Sequence, residues 1–409
     1  MDGYGANQTA VAGAGVAYSQ DAMAISLNPA GLTHVDDQLV LGISGFMPFR
    51  SYDAGGYQPD PHGLPQALPG DHDSNNDIFG IPNFAWTHHL GPDTVLGVGL
   101  YGNGGMNTTY PAAVFGAPSP VGVDLQQAFM SVSLSQRFGQ FSVGVAPILA
   151  MQTFKATGIS TFGGISLNPS DLSDNGFAFS YGGGVRAGIE YDVSPALRLA
   201  VAGSSRIYMT DFDLYKGLFA GGGSFDIPAT ITAGLSYDVM PNVTMMLDYK
   251  HIFYSDIPAI ANPSTNFLTG CIPGASGGTG SGCLGGSNGT GFGWQDINVY
   301  KLGVEWRYDP QWTFRAGYSY NDQPILPRDV MFNILAPGVV QNHITAGFKY
   351  AYSDKIDLEF AAMYAPDTTV KGIDVGGLGQ PISISMYQVE TTLGIVYHFD
   401  GRRELESLK

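Results

Sequence analysis

The sequence predicts an all-β protein: an antiparallel transmembrane β-barrel of about fourteen strands, with an N-terminal plug inside its lumen. Three observations predict it. Only 13% of the 409 residues are charged, against about 25% in a soluble domain. No run reaches the ~18–20 apolar residues that a spanning helix needs; the most apolar stretch, Val143 to Met151, is short and interrupted by Gly and Pro. Backbone polar groups in hydrocarbon have to pair within the protein, so without helices a closed barrel or a soluble all-β domain remains. The third observation is a period-two alternation of apolar and polar residues, cleanest in the C-terminal half.

That alternation also assigns the faces. In Tyr300 to Tyr308, Trp312 to Tyr320, Ile344 to Tyr350 and Ile356 to Phe360, aromatic and aliphatic residues alternate with charged or small ones. One register turns Lys301, Glu305, Arg307, Arg315, Lys349, Asp357, Glu359 and Glu390 to the same side. A basic residue facing lipid at mid-depth costs ~2–4 kcal/mol, so the charged side is the lumen. The 57 glycines, 22 tyrosines and 23 phenylalanines suit strands, turns and interfacial girdles.

Strands are expected near Gln38–Phe46, Phe79–His89, Thr94–Asn103, Val123–Phe138, Phe141–Phe154, Phe177–Tyr191 and Leu197–Phe212. The rest are expected near Phe225–Asp238, Asn242–Ser255, Trp294–Tyr308, Gln311–Asn321, Val339–Tyr352, Lys355–Ala365 and Met386–Phe399. Tight turns such as Gly139-Gln140 and Ser353-Asp354 alternate with long connections such as Arg50–Asn76 and Asp256–Gly293. Short turns at one end and long loops at the other are a barrel signature. The domains follow: residues 1–37 form the plug, 38–399 the barrel and 400–409 a polar tail. Met1-Asp2-Gly3 has neither basic nor apolar signal character, so the chain reads as a mature form.

The segment before the barrel is small and apolar from Gln8 to Tyr18. A short helix is expected over Ser19 to Ser26 with Ser19 as its cap. Asn28-Pro29-Ala30-Gly31 then makes a turn in which Pro fixes φ. Lumen charges such as Asp248, Lys250, Arg307 and Arg315 read as a network holding this segment, because mixed-sign clusters satisfy one another. The plain alternative is a disordered arm.

The run Gln8 to Ala22, followed by Asn28-Pro29-Ala30-Gly31, resembles the plug of the FadL family of outer-membrane transporters for long-chain fatty acids and aromatic hydrocarbons. Phe225 to Tyr237 running into Leu247-Asp248-Tyr249, and Lys301 to Trp306 followed by Phe314 to Tyr320, resemble it too. The resemblance implies a fourteen-stranded barrel, outer-membrane location, and passive uptake by lumen binding with lateral exit at a kinked third strand. Gly102, Asn103, Gly104 and Gly105 end the expected third strand, where glycines permit a bulge. Small inward residues such as Ser142, Gly144, Ala146, Ser180, Gly182 and Gly234 leave volume. Phe129, Ile148, Phe154 and Met246 point into it by register and are the candidate pocket lining. The alternative is that plug side chains fill that volume.

Cys271 and Cys283 lie in the Gly/Ser-rich stretch Thr269 to Gly293, a loop of an oxidising compartment, and are expected to form a disulfide. Asp71, Asp73, Asn75 and Asp77 alternate as calcium ligands do, but Pro82 stands where the closing Glu should be, so a solvated loop is the better reading and no metal is assigned. His88 and His89 are expected to face one in and one out, as interfacial residues poorly placed to share a metal. No nucleophile elbow is present, so no enzyme activity and no cofactor are expected. The net charge of −17 excludes nucleic acid as a partner and suits a surface against lipopolysaccharide and its cations. A hydrophobic small molecule, membrane lipid and a monomeric state complete the expectation. A porin for polar solutes and a barrel lipid hydrolase remain as alternatives.

Overall fold

The computed structural model describes residues 3–59, 64–116, 120–376 and 379–401. Fourteen long strands form the wall. They are β1 (Gln38–Ala54), β2 (Phe79–Gly91), β3 (Thr94–Tyr110), β4 (Val121–Phe138), β5 (Phe141–Thr157), β6 (Ala178–Ser194) and β7 (Leu197–Ser204), then β8 (Thr230–Met240), β9 (Val243–Ile252), β10 (Ile297–Arg307), β11 (Trp312–Asn321), β12 (Asn342–Ser353), β13 (Ile356–Ile373) and β14 (Pro381–His398). Each pairs antiparallel with the next, and β1 pairs with β14 from Gln38↔His398 to Ala54↔Ile382. The ladder is therefore closed and no strand of the wall is left as an edge. Two short strands, Gly70–Asp73 and Tyr208–Met209, flank it on β1 and β6.

The alternation is legible along β5. Phe141, Val143, Val145, Leu149 and Met151 face outward, while Ser142, Ala146, Ile148, Gln152 and Phe154 are buried. Lys301, Glu305, Arg315, Asp357 and Glu359 are buried inside, and Leu302, Trp306, Phe314 and Leu358 lie on the outer face. Phe138, Phe141, Trp306, Tyr308 and Phe399 crowd the outer surface near the short turns; Tyr181, Tyr249, Tyr300 and Tyr318 sit toward the long loops. Two aromatic girdles with an aliphatic band between them match a lipid slab.

Three expectations change. The seventh strand stops at Ser204 instead of running to Phe212. The chain turns inward there, Ile207 exchanges backbone bonds with Ile227, and Ile207 and Met209 bury among lumen side chains. Strands β1, β3, β13 and β14 outrun their predicted ends, extending toward the long loops beyond Phe46, Asn103, Ala365 and Met386, so that Gly102 to Gly105 lie within β3 and not at its end. The helix expected over Ser19 to Ser26 is a 3-10 helix over Ala22–Ser26, capped by Asp21, whose carboxylate accepts from the Met23 amide. A carboxylate is as good a cap as a hydroxyl, and it is nearer the helix start. Residues 402–409 of the expected tail lie outside the described residues.

Candidate functional site

The N-terminal segment lies inside the short-turn half of the barrel. It holds α1 (Gly5–Ala10), the 3-10 turn Ala22–Ser26 and a second one over Pro29–His34, and nearly all of it is buried. Asn28 caps the last turn: its Oδ1 accepts from the Ala30 amide at 3.0 Å, and its Nδ2 donates to the Val16 carbonyl at 2.7 Å. Pro29 takes the first helical position, where its missing N–H costs nothing. Its carbonyl accepts from the Ser135 hydroxyl at 2.6 Å. Gly31 is required by contact, because a Cβ there would stand 1.8 Å from Ser19 Oγ.

Lumen charges hold this segment. Asn7 donates to Asp21 at 2.7 Å and to Glu359 at 2.5 Å, and accepts from Arg315 at 2.5 Å. Arg315 also binds Glu305 at 2.9 Å, and Tyr18 donates to Glu305 at 2.8 Å. The amides of Gly15 and Val16 donate to Asp248 at 2.9 Å each. Inward glycines do not leave open volume here: a Cβ on Gly144 would come within 2.4 Å of Ala30, and one on Gly303 within 2.9 Å of Val11. The room read from small side chains in this half is taken up by the segment's own backbone.

Beyond the segment the wall changes at β3. Asn103 is an extra residue, since Gly102 pairs with Ala128 and Gly104 with Gln127. The β2–β3 ladder ends at Asn83↔Tyr101, although Phe79 to Pro82 still pair with β1. Pro82 has no amide hydrogen to offer a neighbour at this break. Gly104 has φ +155°, and a Cβ on Gly105 would stand 2.5 Å from the Leu125 carbonyl oxygen, so both positions demand glycine. The Tyr4 hydroxyl donates to Asn103 Oδ1 at 2.9 Å, and Asn103 Nδ2 donates to Gln127 at 2.9 Å.

The four candidate lining residues are all buried but do not meet in one place. Phe129 and Ile148 share an apolar cluster with Tyr101, Ile207, Met209 and Ile227, packed against Tyr4 beside the bulge. Phe154 lies farther toward the loops, with ring centroids 4.9 Å from Tyr215 and 4.7 Å from Phe219. Met246 is covered by Val11 and Ala14 of the N-terminal segment. The outer loops leave only a small cavity of about 10 Å3, lined by Leu64, Phe162, Phe267, Met331, Phe332 and Val375. Register told which face each residue occupies; it carried no signal for Ile207 and Met209, which arrive from a loop.

Cys271 and Cys283 are joined by a disulfide. It closes a loop whose backbone bonds to a neighbouring one, from the Gly274 amide to Gly164 and from the Gly278 amide to Ser166. Asp71 and Asp73 lie on the short strand beside β1, and Asp77 pairs with Arg50 at 3.7 Å. Among the described residues those carboxylates do not converge; the group that does is His34, Glu190 and Asp192, where Arg198 and Arg137 already meet Asp192 at 3.2 and 2.9 Å. His88 is exposed and His89 largely buried, and both rings reach Asp37, at 2.7 and 2.5 Å. Burial works to raise the Asp37 carboxyl, but hydrogen bonds from the His89 ring and amide and from His88 hold it below the usual carboxylate range.

Comparison with known proteins adds to this geometry. The family model for outer membrane transport proteins (OMPP1/FadL/TodX) matches residues 2–393. The long-chain fatty acid transport protein of Escherichia coli O6:H1 (strain CFT073) is 33% identical over 79 residues, 19% of this chain and 17% of that protein. The fold is similar to that of the P. putida toluene transporter TodX, with a TM-score of 0.70 at 18% identity over 97% of this chain and 99% of that one. The Ralstonia pickettii toluene transporter TbuX gives 0.65 at 18% identity, over 97% and 99%.

Proposed function

We propose, for a chain that belongs to the FadL/TodX family of outer-membrane transport proteins, that it is a passive channel for hydrophobic small molecules with a lateral exit at the β3 bulge. The protein is an outer-membrane β-barrel, and transport is the work of its family. The cargo proposed is a fatty acid or an aromatic hydrocarbon, the cargoes of its long-chain fatty acid and toluene transporter relatives. It acts as a channel and not as an enzyme.

One observation carries the lateral route: the β2–β3 ladder stops at Asn83↔Tyr101 beside the apolar cluster of Tyr101, Phe129 and Ile148. A break in wall pairing next to buried apolar surface lets a greasy ligand leave sideways without crossing water. The axial route is filled by the N-terminal segment, which argues against a porin for polar solutes. The closed ladder offers no edge strand to a second copy, so the channel is read as a monomer in lipid and lipopolysaccharide.

The test fills the bulge. In proteoliposomes, Gly104→Val combined with Gly105→Val is expected to lower uptake of labelled oleate or toluene by roughly tenfold or more, as a strained, overpacked site should. Heat-modifiable migration on a gel reports that the barrel has formed. Uptake at the wild-type rate by a folded variant would remove the lateral exit from the mechanism.

A further inference from the structure

Among the described residues, one group of metal-ligating side chains brings its donor atoms together: His34, Glu190 and Asp192, with ligand atoms all within 4.8 Å of one another. His34 is the last residue of the second 3-10 turn of the N-terminal segment, and Glu190 and Asp192 lie two apart on one face of β6. The group therefore spans the seam between segment and wall at the short-turn end.

Glu190 is the unusual member. It is 1% exposed, yet among the described residues neither of its carboxylate oxygens accepts a hydrogen bond. Its surroundings explain this. Gly31, which has no side chain, lies over Oε2. On β5 its neighbour Ser142 shares its hydroxyl with Thr33 at 2.8 Å, and on β7 its neighbour is Ala200. A buried carboxylate left in this state is costly, and the wall needs no acid here.

His34 Nε2 stands 3.1 Å from Glu190 Oε1 and 3.9 Å from Asp192 Oδ1, and none of these three atoms makes a hydrogen bond. Atoms this close that do not bond to each other leave their lone pairs for a third partner. Ligands at the corners of a zinc tetrahedron, on bonds of about 2.1 Å, stand about 3.4 Å apart, an interval that the two distances bracket. One imidazole and two carboxylates suit a borderline divalent cation, and the two negative charges balance it. Arg137 holds Asp192 by Oδ2 at 2.9 Å, which leaves Oδ1 to the group. The competitor is Arg198, 3.2 Å from Asp192 Oδ1 and 3.9 Å from Glu190 Oε1. Its side chain is 22% exposed and has a way out to water.

We propose that His34, Glu190 and Asp192 form a site for one zinc ion, with water in the fourth position, which fastens the N-terminal segment to β6. The ion displaces the Arg198 guanidinium from Asp192 Oδ1. His34 ligates as the neutral imidazole, and any proton it carries is released on binding. The site is independent of the cargo and of the exit at the β3 bulge.

The experiment titrates zinc chloride into the untagged full chain in dodecyl maltoside, in competition with a chromophoric chelator. Heat-modifiable migration reports that each barrel has formed. One zinc ion per chain is expected to bind, undisturbed by excess magnesium or calcium, which prefer all-oxygen sites. His34→Ala and Glu190→Gln should each weaken binding by roughly a hundredfold or more, since even an outer-shell change costs about 10–100-fold. Arg198→Gln should tighten it by roughly fivefold, the worth of a partly exposed ion pair that no longer competes. His88→Gln combined with His89→Gln should leave it unchanged. Zinc should also raise the urea midpoint of the wild type and not that of His34→Ala. A wild type that takes up no zinc overturns the proposal, as does zinc held by His34→Ala as tightly as by the wild type. Binding lost in the His88 and His89 variant would place the ion at Asp37 and overturn it as well. Should both ligand variants fail to fold, Arg198→Gln keeps the test decisive: unchanged or weaker zinc binding there places the ion elsewhere.

Discussion

The two halves of the lumen are filled by different chemistry. In the short-turn half, the N-terminal segment is held by charged and polar contacts: Asn7 to Glu359 and Arg315, Tyr18 to Glu305, and two amides to Asp248. In the loop half, the filling is aromatic and aliphatic, with Phe154, Phe212, Tyr215 and Phe219 packed ring against ring. Hydrogen-bonded ions specify one arrangement, because any shift leaves a buried charge unpaired. Apolar contacts are non-directional and repack at small cost. A channel that admits greasy molecules while staying closed to water needs one half of each kind.

The largest effect should come from removing the specified half. Deletion of residues 3–37 opens the axis, and liposomes carrying the truncated barrel are expected to swell in arabinose at a porin-like rate where the intact protein gives none. If the truncated barrel folds and the liposomes do not swell, the outer loops close the barrel alone. The division of labour between the halves would then be wrong.

A subtler contrast swaps one side chain in each half for another of similar volume. Glu305→Gln takes from Arg315 its 2.9 Å carboxylate partner and leaves Arg307 only Asp238, at 3.7 Å. The cost expected for breaking a buried pair is about 3–5 kcal/mol, read from the midpoint of urea unfolding in detergent. Phe219→Leu in the aromatic half should cost about 1.5 kcal/mol or less, since the ring's neighbours can close on the smaller side chain. Equal costs would erase the distinction between a specified and an adaptable half.

The same contrast explains what the sequence could convey. The wall was legible, because inward and outward residues alternate along strands such as β5 and β10 and no helix competes. Asn28-Pro29-Ala30-Gly31 was legible as a turn because Pro29 and the Asn28 cap act locally. The contents of the lumen were less so. Alternation gives the face of a strand and not the height along it, so Phe129, Phe154 and Met246 shared a face yet ended in three separate clusters. Ile207 and Met209 alternate as strand residues would, and nothing local marks the point where the chain leaves the wall.

The smallest effect probes how redundantly the N-terminal segment is held. Asn28 performs two tasks at once, capping the last turn through Ala30 and tying it to the Val16 carbonyl. Asn28→Ala loses both and should lower stability by about 2 kcal/mol, a cap plus a neutral hydrogen bond. Asn28→Ser keeps an oxygen that can cap but cannot reach Val16, so about 1 kcal/mol is expected. Neither should admit arabinose, because the bonds from Asn7, Tyr18 and the Gly15 and Val16 amides remain to seat the segment. Arabinose leakage from Asn28→Ala would mean that this one turn is the latch and that the charged network only follows it.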